Sequence, residues 1–137
     1  MKNTATILYL CLAALLVPIT STICRAEDKP AVAVPAAVYT TEETAEFKTL
    51  TKATIEALDA GKKEEMIAKL TDLETAWDAK EDKLKPKDAA TWMLIDKTLD
   101  KAISSLRSSK TDLPKGKAAL EDLLKKLKQA TKEPAHA

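Results

Sequence analysis

Few side chains in this sequence can do chemistry, and their placement restricts the chemistry further. The chain carries one histidine, His136, and two cysteines, Cys11 and Cys24. A nucleophile needs a base within hydrogen-bond reach, but the only imidazole is next to last in a polar tail. No Glu-x-x-His pair occurs to build a di-metal carboxylate site. There is no Cys-x-x-Cys-His for covalent haem and no D-x-[DN]-x-[DN]-G calcium loop. Two glycines cannot furnish a Gly-rich phosphate cradle. No catalytic residue, no cofactor and no enzymatic activity are therefore expected.

Two constellations remain. Glu42, Glu43 and Glu46 are spaced along a first helical turn, and hard cations accept such oxygen ligands; Glu64 and Glu65 form a second acidic pair. Acids at a helix start are also favoured by the positive end of the macrodipole, so these carboxylates have a purely structural explanation too. Trp77 and Trp92 flank the turn at Pro86 on adjacent helices. At equal height they are either core plugs or one wall of a small apolar ligand pocket.

Elements must hold those residues, and composition says which kind. Of 137 residues 31% are charged, 45% hydrophobic and only 4% aromatic, a balance typical of helical chains. The 22 Lys+Arg against 21 Asp+Glu leave no field for gripping nucleic acid, and no basic stripe with interleaved aromatics supplies one locally.

Residues 1–26 read as a secretory signal peptide. Lys2 is a positive n-region, Ala5 to Val17 an apolar run, and Cys24 and Ala26 small residues at −3 and −1 of a cut after Ala26. That run is shorter than the roughly 20 residues that span a bilayer, so membrane contact is expected only in transit. Cleavage removes both cysteines, Lys2 and Arg25, leaving 20 basic against 21 acidic residues and a formal net charge of −1. A secreted chain, most naturally periplasmic, with no disulfide is the expectation.

Residues 27–39, rich in Pro, Ala and Val, read as a flexible spacer, because Pro30 and Pro35 remove donors and bias their predecessors towards extended backbone. The Val/Ala alternation there has no evident partner strand. Residues 40–131 are the helical domain, and 132–137 a disordered tail. Thr40 and Glu43 form a capping-box pair, with Tyr39 as a hydrophobic staple. Phe47, Leu50, Thr54, Ala57 and Leu58 follow helical spacing until Gly61. Met66, Leu70, Leu73, Trp77 and Leu84 make a heptad seam for one continuous second helix. Trp92, Ile95, Leu99, Ala102 and Leu106 mark the third helix, and Leu120, Leu123, Leu124 and Leu127 the fourth, with Asp112 as its cap. Short turns imply two hairpins in an all-α, up-down-up-down four-helix bundle.

Ala57-Leu58-Asp59-Ala60-Gly61, followed by Glu65 and Ala68, resembles the inter-helix turn of tetratricopeptide repeats. A shift of 48 takes Phe47, Ile55 and Leu58 onto Ile95, Ile103 and Leu106, a spacing unlike the ~34 residues of that family. The expected role is a non-catalytic protein-binding or structural module meeting a protein partner or a second copy. The alternative is a ligand or metal-ion binder using the Trp pair or the acidic helix start.

Overall fold

A computed structural model of the chain describes residues 35–132. The chain divides into two units, residues 1–31 and 32–137, and every described residue belongs to the second. The expected signal peptide, both cysteines, His136 and most of the expected tail lie outside the described residues.

The described residues are all-helical: α1 (Thr41–Asp59), α2 (Lys63–Asp78), α3 (Glu81–Leu84), α4 (Ala89–Arg107) and α5 (Leu113–Ala130). Three of the starts, those of α1, α4 and α5, have a side-chain cap. The Thr40 hydroxyl accepts from the Glu43 N–H at 3.3 Å, and the Glu43 carboxylate accepts from the Thr40 N–H at 3.1 Å, completing the capping box. Asp88 and Asp112 accept from the Thr91 and Lys115 N–H groups at 2.6 and 3.0 Å, capping α4 and α5. Gly61 ends the α1–α2 turn with φ 69°, where the Lys62 N–H reaches back to the Ala57 carbonyl.

The expected continuous second helix is interrupted. Regular winding stops at Asp78, Lys80 turns the chain, and α3 adds one turn ending at buried Leu84. Glu74 and Asp78 already stand at i,i+4 within α2, and continuing the helix would add Asp82 to that row of like charges. The break leaves Asp78 at the negative end of α2, which has no basic residue in its last turn. It also places Glu81 and Asp82 in the first turn of α3, where acids are favoured.

All four long helices contribute to a single core. Helix α1 packs on α2 and on α5, α4 packs on α5, and α2 touches α4. The heptad residues of α2 and the five expected core residues of α4 are buried. On α1 the buried stripe is Thr44, Phe47, Thr51, Thr54 and Ala57, with Leu50, Ile55 and Leu58 at its edge. The threonines enter because each hydroxyl is satisfied by its own helix: Thr51 donates to the Phe47 carbonyl at 2.6 Å and Thr54 to the Leu50 carbonyl at 2.8 Å. On α5, Leu120, Leu123 and Leu127 are buried with Ala130, whereas Leu124 is only partly covered.

The end of the expected spacer and the start of the expected tail are tied to the helices. Tyr39 and Thr131 form a parallel β-bridge, so the Val/Ala stretch does end on an extended partner. The Val38 and Tyr39 N–H groups donate to the Ala130 carbonyl, and the Lys132 N–H donates to the Tyr39 carbonyl at 2.8 Å. Pro35 is buried, and the Ala36 N–H donates to the Thr91 hydroxyl at 2.9 Å. Tyr39 is not a staple: the N4 position it would meet is Thr44, so its ring goes into the core.

Candidate functional site

The tryptophans come together as their spacing implies. Trp77 in the last turn of α2 and Trp92 in the first turn of α4 stack with ring centroids 3.8 Å apart and planes 6° from parallel. Phe47 of α1 meets Trp77 edge-on at 5.1 Å and 76°. The rings are in van der Waals contact and almost wholly buried, so no guest fits between them. The Trp77 indole N–H donates to the Asp96 carboxylate at 3.1 Å, which satisfies its polar tip within the core. Asp96 belongs to an acidic group with Glu74, Asp78, Glu81 and Asp100. Burial first, and then those four carboxylates, raise the Asp78 carboxyl above its usual range.

The acidic first turn of α1 is engaged with cations. Glu43 accepts from the Lys87 ammonium at 2.6 Å and has the Lys83 ammonium at 3.8 Å. The Lys87 hydrogen bond, followed by that of the Thr40 N–H, holds its carboxyl below the usual range. Glu42 is also lowered, first by its own backbone N–H and then by the Thr40 hydroxyl. Glu42, Glu43 and Glu46 line one cleft of about 140 Å³, but Lys80, Lys83 and Leu84 line it with them. Ammonium groups occupy the electrostatic position that a metal ion would take. Among the described residues no group of three or more His, Cys, Asp or Glu side chains is arranged to hold a metal ion. Glu65 of the second acidic pair is bridged to Lys62 at 3.0 Å.

Three further features were not visible in spacing. The Tyr39 hydroxyl is buried without a hydrogen-bond partner, and burial, with Asp88 and Glu43 nearby, pushes it up to about 12. A cleft of about 440 Å³ is lined by Pro35 and Ala36, by Asp88, and by Ala90, Thr91, Met93, Leu94 and Lys97 of α4. Met93 there is 48% exposed. A pocket of about 260 Å³ lies where the α1–α2 turn meets the start of α5. An exposed methionine in the helical pattern was the one available signal for the first cleft. The pocket joins residues some fifty positions apart and had none.

No described helix is long and apolar enough to cross a membrane. No protein family matches the chain, and neither a curated protein nor a solved structure matches it.

Proposed function

We propose that this chain is a small exported helical-bundle protein, periplasmic in a bacterial cell, that acts without catalysis as a protein-binding or structural module. In this reading a signal peptide over residues 1–26 precedes an up-down-up-down bundle of α1, α2, α4 and α5. Side-chain contacts support the alternation. The last turn of α2 meets the first turn of α4 through Trp77 and Trp92. Thr71 and Glu74, earlier in α2, meet Arg107 at the end of α4. Lys117 near the start of α5 bonds Asp59 at the end of α1, and Thr131 after α5 bonds Thr44 near the start of α1.

The observation that carries the binding role is the cleft at Met93. Its lining combines apolar Pro35, Ala90, Met93 and Leu94 with Asp88, Thr91 and Lys97, a mixture found in small protein interfaces. The aromatic groups that would otherwise make a ligand pocket are consumed in the core. A photo-crosslinking amino acid at position 93, in extract from the exporting cell, tests the role. It should give one discrete adduct, with a partner or a second copy, that is absent when the probe sits at exposed Lys125. A monomer yielding no adduct from position 93 would refute the reading. N-terminal sequencing of the exported chain should begin at Glu27.

A further inference from the structure

We infer that the pocket beside the α1–α2 turn binds the alkyl chain of a small monoanionic amphiphile, with its head group at Lys62 and Lys63. This site is separate from the Met93 cleft and does not depend on the protein-binding reading.

The pocket's floor is apolar: Met66 is buried, Leu58 partly buried, and Leu113 forms a wall that is 47% exposed. Leu113 is the first residue of α5, and the following Pro114 pre-sets the backbone there for a helical first turn. With Met93, Leu113 is one of two large hydrophobic side chains exposed among the described residues. Gly61 opens the mouth, since a Cβ at that position would meet nothing within 4 Å.

Charge at the rim selects the occupant. Lys62 and Lys63 both line the pocket. Lys62 shares its charge with Glu65 at 3.0 Å in an exposed pair, which solvent renders weak. Lys63 makes no ion pair among the described residues. The nearby acids are mostly engaged elsewhere. Asp59 holds Lys117 at 2.6 Å, and Asp112 caps α5 and faces Lys115 at 3.4 Å. Glu64 is exposed on the same turn but does not line the pocket. An apolar cavity with a cationic mouth is complementary to a hydrocarbon tail carrying one negative charge, and 260 Å³ limits that tail to a single short chain.

The test is an amide-resolved NMR titration of the purified protein with decanoate below its micelle concentration, using acetate and decan-1-ol as controls. Decanoate should shift the amides of Gly61, Lys63 and Leu113 saturably, acetate should not, and decanol should do so more weakly. Replacing both lysines (K62Q with K63Q) should weaken decanoate by about fivefold or more, the worth of one unit charge at close range in water, and leave decanol unchanged. Leu113→Ser should weaken both. The inference is overturned if decanoate leaves those amides in place, or if the double variant binds it as tightly as the parent. Binding to phosphatidylglycerol vesicles without any response to free decanoate would overturn it too, assigning the surface to a bilayer.

Discussion

Removing one indole from the stacked pair gives the sharpest check on the core. Trp92 is 3% exposed and Trp77 1%. A tryptophan buries roughly 150–250 Å², which at about 25 cal/mol per Å² is worth about 4–6 kcal/mol on transfer from water. Trp92→Ala keeps a little of that, adds a cavity beside Trp77 and loses a ring pair worth about 0.5–1.5 kcal/mol. Comparable core substitutions cost about 3–5 kcal/mol, and that is the expected loss. A domain of this size has about 5–15 kcal/mol in all, so the variant should remain folded in the cold but melt some tens of degrees lower. Urea titration followed by far-ultraviolet circular dichroism measures the loss without relying on the deleted fluorophore. Trp92→Phe, which refills part of the volume, should recover a substantial part of it. A loss below about 1 kcal/mol for Trp92→Ala would refute the packing described here, because no half-exposed alternative position for the ring is compatible with a 3.8 Å stack.

Tyr39→Phe should be neutral or stabilising, since it removes a buried hydroxyl that has no partner. The hydroxyl titrates near 12 when folded and near 10 in the unfolded chain. Parent stability should therefore hold below pH 10 and fall as pH rises through about 12, and the variant should lack that fall in alkaline urea titrations. Glu43 has the opposite sign: its carboxyl is lowered by Lys87 and the Thr40 N–H. Its contribution should be present above the unfolded value of about 4.3 and disappear as pH drops through the lower folded value. Glu43→Gln should flatten that acid limb in urea midpoints compared at pH 7 and pH 3. Gly116→Ala should fail to give the ~1 kcal/mol gain usual inside a helix, because the new Cβ would lie 2.2 Å from the Leu106 Cδ2 and 2.5 Å from its Cγ. Overpacking of about 1–3 kcal/mol should dominate. A double-mutant cycle with Leu106→Ala should show the coupling, and a raised melting temperature for Gly116→Ala alone would contradict it.

Helix positions and caps could be read residue by residue because their causes are local. Thr40 with Glu43, and Asp112, each act within three residues, and the α4 stripe from Trp92 to Leu106 needs only the helical period. On α1 Thr54 falls on the expected stripe, but Thr44 and Thr51 join it in the core. Thr51 hides its hydroxyl on the Phe47 carbonyl, a bond that spacing does not reveal. The break before α3 is not legible because the heptad pattern carries through it to Leu84, and only the like charges of Asp78 and Asp82 count against a continuous helix. The acidic turn was located correctly, but nothing near it in sequence announces that Lys80, Lys83 and Lys87 come to meet it from across the fold.

By itself the sequence determined that the described chain is helical and where α1 and α5 start. It also determined that Trp77 and Trp92 lie level on neighbouring helices. Periodicity and capping are properties of a few consecutive residues, so they survive in a one-dimensional reading. Only the tertiary structure decided that the two indoles close on each other rather than around a ligand, and that lysines face the first-turn carboxylates. It alone brought Leu113 beside Met66 and Lys63 to leave an open apolar pocket. Those outcomes depend on the separation and rotation of whole helices, quantities set by the packing of all the core side chains together.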